Sequence, residues 1–207
     1  MKIICIGRNY AEHAKELNNP VPAKPVVFMK PATALLINNK PFYFPEFTKD
    51  LHYELEIVLR IVKNGRHVQP EFAAGYYEEI GLGIDFTARD LQDQCKAKGH
   101  PWEIAKAFDN SAVLAPVFID KSKLDTRNIR FELQKNGETV QSGDTGDLLF
   151  TFEDIIVYVS QFFKLQTGDL IYTGTPAGVG PVQIGDLLEG YIYLANGPEK
   201  LLHCNVK

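Results

Sequence analysis

Tyr53-Glu54-Leu55-Glu56-Ile57-Val58-Leu59-Arg60-Ile61-Val62 is the most strongly patterned strand in this 207-residue chain. Period-two alternation places Tyr53, Leu55, Ile57, Leu59 and Ile61 on one face and both glutamates on the other. Val58 and Val62 continue the glutamate face, so that face is not simply open to water. Outward from this strand, turn signals alternate with short periodic segments in both directions.

On the N-terminal side, Met1 to Gly7 is an apolar run interrupted by Arg8, too short for a signal-peptide core or a membrane span, and it reads as a first strand. Tyr10 to Leu17 holds good helix formers, while Pro20, Pro22 and Pro25 rule out a regular helix beyond it. So short a helix is weakly anchored and free to move. Val26 to Met29 and Phe42 to Phe44 read as further strands.

On the C-terminal side, the pattern predicts a proline-opened helix over Pro70 to Glu79, a strand over Ile80 to Thr87, and a helix over Arg89 to Lys98 stopped at Gly99. Ile129 to Gln134 meets Asn136-Gly137, the preferred pair for a tight hairpin turn, before the chain returns through Thr139 to Gln141. Thr151 and Asp154 form a capping-box-like start to an amphipathic helix carrying Ile155, Ile156, Val159, Phe162 and Phe163. Strands follow near Leu170 to Thr173, Leu187 to Ile192 and Leu201 to Val206. Strands outnumber helices and lack the regular helical crossovers of parallel winding, so the expectation is a β-rich α+β fold. No repeat or long linker divides the chain, which predicts a single domain over 1–207.

The formal net charge is -4, and the 22 lysines and arginines are scattered instead of clustered, which argues against a nucleic-acid surface or an anionic membrane partner. The expected partner is a small molecule. Cys5, Cys95 and Cys204 are odd in number and widely spaced, so neither a disulfide framework nor a zinc site is indicated, and a reducing cytoplasm fits best.

Glu54 and Glu56 point the same way, and like charges this close repel unless a cation or a proton intervenes. A hard divalent cation would resolve the repulsion; a solvated strand face is the competing reading. Asp85 shares a strand face with Gly81 and Gly83, glycines that leave room beside its carboxylate. With the glutamates it makes an oxygen-only set suited to magnesium, manganese or calcium; alternatively it caps the strand end. His13 and Glu16, three apart on the short helix, share a face and sketch a general-base dyad, although such pairs also occur as solvated surface. Gly174-Thr175-Pro176-Ala177-Gly178-Val179-Gly180 brings backbone amides close enough to hold an anion, or is an ordinary tight turn, but lacks the lysine of a nucleotide-binding loop. Lys106 by itself reads as a snorkelling surface lysine.

Gly7-Arg8-Asn9-Tyr10 with His13 and Glu16, Phe28-Met29-Lys30-Pro31, His52-Tyr53-Glu54-Leu55-Glu56, Asp85-Phe86-Thr87-Ala88-Arg89-Asp90 and Gly174-Thr175-Pro176 together resemble the fumarylacetoacetate hydrolase family in order and spacing. The likeness spans nearly the whole chain and is nearest to the short acylpyruvase and oxaloacetate decarboxylase branch. It implies a mixed β-roll core built as a homodimer, with Glu54, Glu56 and Asp85 as magnesium ligands, manganese or calcium being alternatives. It also implies a lid within residues 1–20 that carries His13 and Glu16, Lys106 as a catalytic group, and Arg8, Arg89, Gln92 and Thr175 at the substrate. Longer family members carry an additional N-terminal domain that this chain is expected to lack.

The implied activity is magnesium-dependent chemistry on small 2-oxo acids through a metal-held enolate. Carbon-carbon hydrolysis of acylpyruvates is favoured, with oxaloacetate decarboxylation or tautomerisation through the same intermediate. The alternative is an isomerase or decarboxylase of a longer unsaturated dioate such as 2-hydroxyhepta-2,4-diene-1,7-dioate; a third is a non-catalytic, metal-stabilised carboxylate-binding domain.

Overall fold

The computed structural model describes residues 1–16 and 20–207. The chain passes through β1 (Ile3–Gly7), α1 (Ala11–Glu16), β2 (Val26–Lys30), β3 (Leu35–Leu36), β4 (Leu51–Tyr53), β5 (Leu55–Ile61), α2 (Pro70–Ala73) and β6 (Tyr77–Asp85). It continues through β7 (Thr87–Ala88), α3 (Arg89–Lys98), α4 (Glu103–Lys106), β8 (Ala112–Leu114), β9 (Ile119–Asp120), β10 (Arg130–Lys135) and β11 (Glu138–Asp144). The last elements are α5 (Phe152–Phe162), β12 (Leu170–Tyr172), β13 (Gly180–Pro181), β14 (Leu187–Leu194) and β15 (Gly197–Asn205).

The main sheet has the order β2-β1-β12-β5-β6-β8-β3, with β9 also paired to β6. β1 lies parallel to β12 and β3 parallel to β8, while the other pairs are antiparallel, so the sheet is mixed and the fold is the expected β-rich α+β. A second sheet runs β11-β10-β14-β15, and a small third one β13-β4-β7.

The predicted alternation places the core. Leu55, Ile57, Leu59 and Ile61 point with Ile80, Leu82 and Ile84 into the larger hydrophobic cluster, against Ile155, Ile156 and Val159 of α5 and Phe131 and Leu133 of the second sheet. On the opposite face Val58 joins Ile3, Cys5, Leu170 and Tyr172 in a smaller cluster. Each fully buried aliphatic or aromatic side chain contributes roughly 1.5–3 kcal/mol, so both faces of β5 are anchored apolar surface.

One strand predicted from residue 53 to 62 is in fact two. β4 pairs with β7 and β13, β5 with β6 and β12, and Glu54 is the hinge between sheets. The adjacent strand makes the same change at Phe86, between β6 and β7, and Asp85 N donates to Glu54 O across the step at 2.8 Å. Both acidic motifs therefore sit where two strands leave one sheet for another.

Other boundaries moved for local reasons. The helix expected over Pro70 to Glu79 ends at Ala73, followed by a single 3-10 turn over Ala74–Tyr76. Gly75 weakens a helix there, and Tyr77 pairs with Ile61 while its buried ring meets Phe152 edge-on, so tertiary packing claims it for the sheet. Phe42 to Phe44 makes only a parallel bridge between Phe42 and Val206, in which Phe42 N donates to Asn205 O at 2.8 Å and Phe44 N to Lys207 O at 2.7 Å. Of the helix expected over Tyr10 to Leu17, α1 covers Ala11–Glu16, and Leu17 lies outside the described residues. The final strand begins earlier than expected, at Gly197. The Asn136-Gly137 turn, with φ of 55° and 85°, the Gly99 stop at φ 64°, and both bonds of the Thr151–Asp154 capping box follow the expectation.

Candidate active site

Adjacent strands deliver the three acids. Leu55 pairs with Ile84 and Glu56 with Gly83, so Glu54 and Glu56 flank the end of β6 where Asp85 emerges. Their oxygens lie within 4.8 Å of one another, and all three residues are buried, Asp85 completely. A solvated strand face is thereby excluded, and Asp85 caps no strand end, because its carboxylate meets two lysines. The glycines beside it play a different part from the one expected. A Cβ on Gly83 would lie 2.5 Å from the Tyr172 ring, and one on Gly81 2.9 Å from Phe118, so aromatic rings fill that space and buttress the strand.

Lys106 Nζ sits between Glu54 Oε2 at 2.8 Å and Asp85 Oδ2 at 2.7 Å, and is buried instead of snorkelling. Burial works against its charge, but Asp85 and Glu54 outweigh it and raise its pKa, so Lys106 is a fixed ammonium. Arg89 Nη2 donates to Glu54 Oε1 at 2.6 Å, and Thr87 Oγ1 donates to the same oxygen at 3.0 Å. Burial pushes the Glu54 carboxyl up, yet Lys106, Arg89 and His13 overcome that and hold it well below the usual carboxylate range.

Among the described residues Glu56 has one donor, Gly174 N at 2.7 Å. Burial, then Asp85 and Glu54, push its carboxyl well above the usual range. Lys30, buried at the end of β2, forms an ion pair with Asp85 Oδ1 at 2.7 Å and donates to Ser111 Oγ at 2.9 Å and to the Lys106 carbonyl. The ion-pair geometry does not make a well-angled hydrogen bond, which leaves Asp85 Oδ1 buried without one among the described residues.

His13 also lines the cleft; its Nδ1 lies 3.1 Å from Glu16 Oε2, and Glu16 Oε1 accepts from Gly178 N at 3.0 Å. The glycine-rich loop thus holds carboxylates as expected, but they are the protein's own: Gly174 serves Glu56 and Gly178 serves Glu16. Arg89 Nη1 donates to Gln92 Oε1 at 2.7 Å. Arg8 has a left-handed φ of 59°, an uncommon conformation for a side chain of its size, and it borders the cleft.

Of the ten residues singled out from the sequence, Arg8, His13, Glu54, Glu56, Asp85, Arg89, Gln92, Lys106 and Thr175 line this one cleft, and Glu16 stands directly behind His13. Phe28, Lys96 and Trp102 also line it, and neither they nor Lys30, Thr87 and Gln141 were assigned roles from the sequence. Lys30 alone carried a signal, a charge ending an apolar strand.

The donor set fits a hard divalent cation. Three buried carboxylates converge, all ligand atoms are oxygens, Glu56 is short of positive partners, and Asp85 Oδ1 lacks a proper hydrogen bond.

Comparison with known proteins gives the same direction. The family model "Fumarylacetoacetate (FAA) hydrolase C-terminal" matches residues 2–203. The mitochondrial oxaloacetate tautomerase of Homo sapiens is 42% identical over 192 residues, covering 92% of this chain and 86% of that protein. The structure of fumarylpyruvate hydrolase from Pseudomonas aeruginosa in complex with Mn2+ and pyruvate superposes with a TM-score of 0.90 at 37% identity, covering 100% of this chain and 89% of that one. That of 2-hydroxyhepta-2,4-diene-1,7-dioate isomerase from Mycobacterium marinum gives 0.83 at 31% identity, with 99% and 73% covered. With the family model matching nearly the whole chain, and relatives of 42% and 37% identity covering 92% and 100% of it, the chain belongs to the fumarylacetoacetate hydrolase family.

Proposed function

We propose that this chain is a divalent-metal enzyme, using magnesium or manganese, that interconverts the keto and enol forms of oxaloacetate and related small 2-oxo acids through an enolate. The observation that carries the reading is the cleft itself, lined by three buried carboxylates and by His13, which Glu16 backs. Glu54, Glu56 and Asp85 would hold the cation, which when bound supplies Lewis-acid polarisation of the 2-oxo group. Three carboxylates already face three cations, Lys30, Lys106 and Arg89, so a divalent ion tips the cluster towards positive charge and suits it to an anionic substrate.

The chain's own residues complete the chemistry. Thr175 and Arg8 hold the substrate carboxylate, Arg89 and Gln92 border the distal end, and the Lys106 ammonium offsets charge developing on the enolate. Glu16 accepts from His13 Nδ1–H, which leaves Nε2 as the nitrogen that takes the C3 proton of the keto form and delivers it to the 2-oxygen to give the enol, the reverse path restoring the ketone. α1, with these two residues, acts as a lid over bound substrate. The tautomerase likeness at 42% identity puts proton transfer first.

Carbon-carbon hydrolysis of acylpyruvates is the second reading, favoured by the likeness to fumarylpyruvate hydrolase. There Nε2 of His13 activates water for attack on the distal carbonyl, and pyruvate departs as its enolate. The whole chain works as one catalytic unit, and the family resemblance supports a homodimer, which light scattering checks by mass. Among the described residues no helix is long and apolar enough to cross a membrane.

Ultraviolet absorbance of the enol tests the reading, with oxaloacetate or acetylpyruvate and magnesium, then a chelator. Enzyme-proportional conversion that the chelator abolishes is expected; a rate insensitive to chelator overturns it. His13→Ala should lower turnover by about 10^2-fold or more, with acylpyruvate hydrolysis losing more than tautomerisation, as paired rate measurements would show.

A further inference from the structure

We infer that Gln141 is a positioning residue that dictates which way the Thr175 hydroxyl donates, and so governs how tightly the substrate carboxylate is held. This rests on the proposed function only in taking Thr175 as a carboxylate contact. Gln141 belongs to β11 in the second sheet, but its side chain reaches to the hinge at Glu54. Its Oε1 accepts from Leu55 N at 2.9 Å, and its Nε2 donates to Thr175 Oγ1 at 2.8 Å and to Pro176 O at 2.9 Å. Both Gln141 and Thr175 are almost fully buried.

The amide cannot be reversed. A backbone N–H only donates and a carbonyl only accepts, so Leu55 N and Pro176 O fix which end is oxygen and which is nitrogen. Thr175 Oγ1 is therefore obliged to accept from Gln141, and its own proton has no acceptor among the described residues. Thr175 borders the cleft, so that proton is the donor left for an anion there. A hydroxyl free to rotate would share its donor with the protein; this one is committed. The same side chain ties the Thr175 loop to the amide that follows Glu54, so carboxylate grip and metal cluster are held in one frame.

Gln141→Glu tests the orientation. Its carboxylate would still accept from Leu55 N but would also accept the Thr175 proton, turning the hydroxyl away from the cleft. The probe is oxalate, a planar mimic of a 2-oxo acid enolate, titrated calorimetrically into the full chain with saturating magnesium. Oxalate affinity should fall about tenfold or more in Gln141→Glu and similarly in Thr175→Val, since each loses one hydrogen bond to a charged ligand. The double variant should be no weaker than Thr175→Val within about twofold, because the hydroxyl can be lost only once. Manganese affinity without oxalate should stay within about twofold of the original, a readout that general damage to the site would move.

Losses that multiply in the double variant overturn the inference, since repulsion by a new carboxylate would persist without the hydroxyl. Unchanged oxalate affinity in Gln141→Glu overturns it too. If the unaltered chain binds manganese but not oxalate, the proposed function itself falls and this inference with it. Should Gln141→Glu not fold, Thr175→Ser against Thr175→Val decides: serine should keep affinity within about threefold, and equal losses overturn the inference.

Discussion

Glu54 and Glu56 stand two residues apart on one strand face, yet their surroundings are opposite. Glu54 lies at the hinge between sheets, where β7, α3 and α4 bring Thr87, Arg89 and Lys106 onto it. Glu56 lies inside the main sheet, where among the described residues Gly174 N alone donates to it. One carboxyl is held down and the other pushed up. The difference teaches that identical side chains divide the work: Glu54 organises the protein's cations, whereas Glu56, where burial and the neighbouring acids disfavour the charged form, is the carboxyl whose ionisation a bound cation would favour.

Substituting each acid should separate those roles. Glu56→Ala is expected to abolish metal binding in calorimetry and to lower turnover by at least about 10^3-fold, several kcal/mol of lost polarisation, while leaving the fold intact. Glu54→Ala should also lose activity, but in addition strand Arg89 and weaken the hold on Lys106, lowering unfolding free energy by about 3 kcal/mol in urea titration. Equal stability of the two variants would break the comparison. Lys106→Met attacks it from the other side. It leaves two buried carboxylates without their shared ammonium, with an expected cost of about 3 kcal/mol and a raised metal affinity at neutral pH, since the ion then has less competition.

The pH dependence sharpens it further. The Glu56 carboxyl is raised above its ordinary value of 4.5, so in the metal-free protein its contribution is fully present below that value and is lost as pH rises through the elevated one. Stabilisation by magnesium should therefore grow as pH rises above 4.5 in thermal melts, and Glu56→Gln, neutral throughout, should flatten the metal-free profile. A magnesium shift independent of pH would contradict the assignment. The smallest expected effect is Thr87→Val, which removes one of three donors on Glu54 and should cost about 1 kcal/mol by urea titration, with no change in metal affinity.

Much of this was legible before any coordinates. The alternation from Tyr53 to Ile61 predicts which residues enter the larger core, the Asn136-Gly137 turn and the Thr151 cap are local chemistry, and the acidic triad was identifiable from strand faces and family likeness together. The misreadings share a cause. Gly81 and Gly83 read as leaving room beside the Asp85 carboxylate, but what meets them are Phe118 and Tyr172, from 37 and 89 positions further along. Tyr77 looked helical until its pairing with Ile61 and the ring of Phe152 drew it into the sheet. Lys106 read as a surface lysine because nothing nearby in sequence shows the carboxylates it bridges.

By itself, then, the sequence determined the things that depend on near neighbours: strand faces, turn types, caps, the acidic character of one face and the family signature. Tertiary structure alone decided the electrostatics. Whether a carboxylate meets three cationic or hydroxyl donors or one backbone amide depends on groups 20 to 120 residues away along the chain, at separations such as the 118 between Glu56 and Gly174. Buried charges take their properties from whatever replaces water around them, and that is set by packing instead of by adjacency.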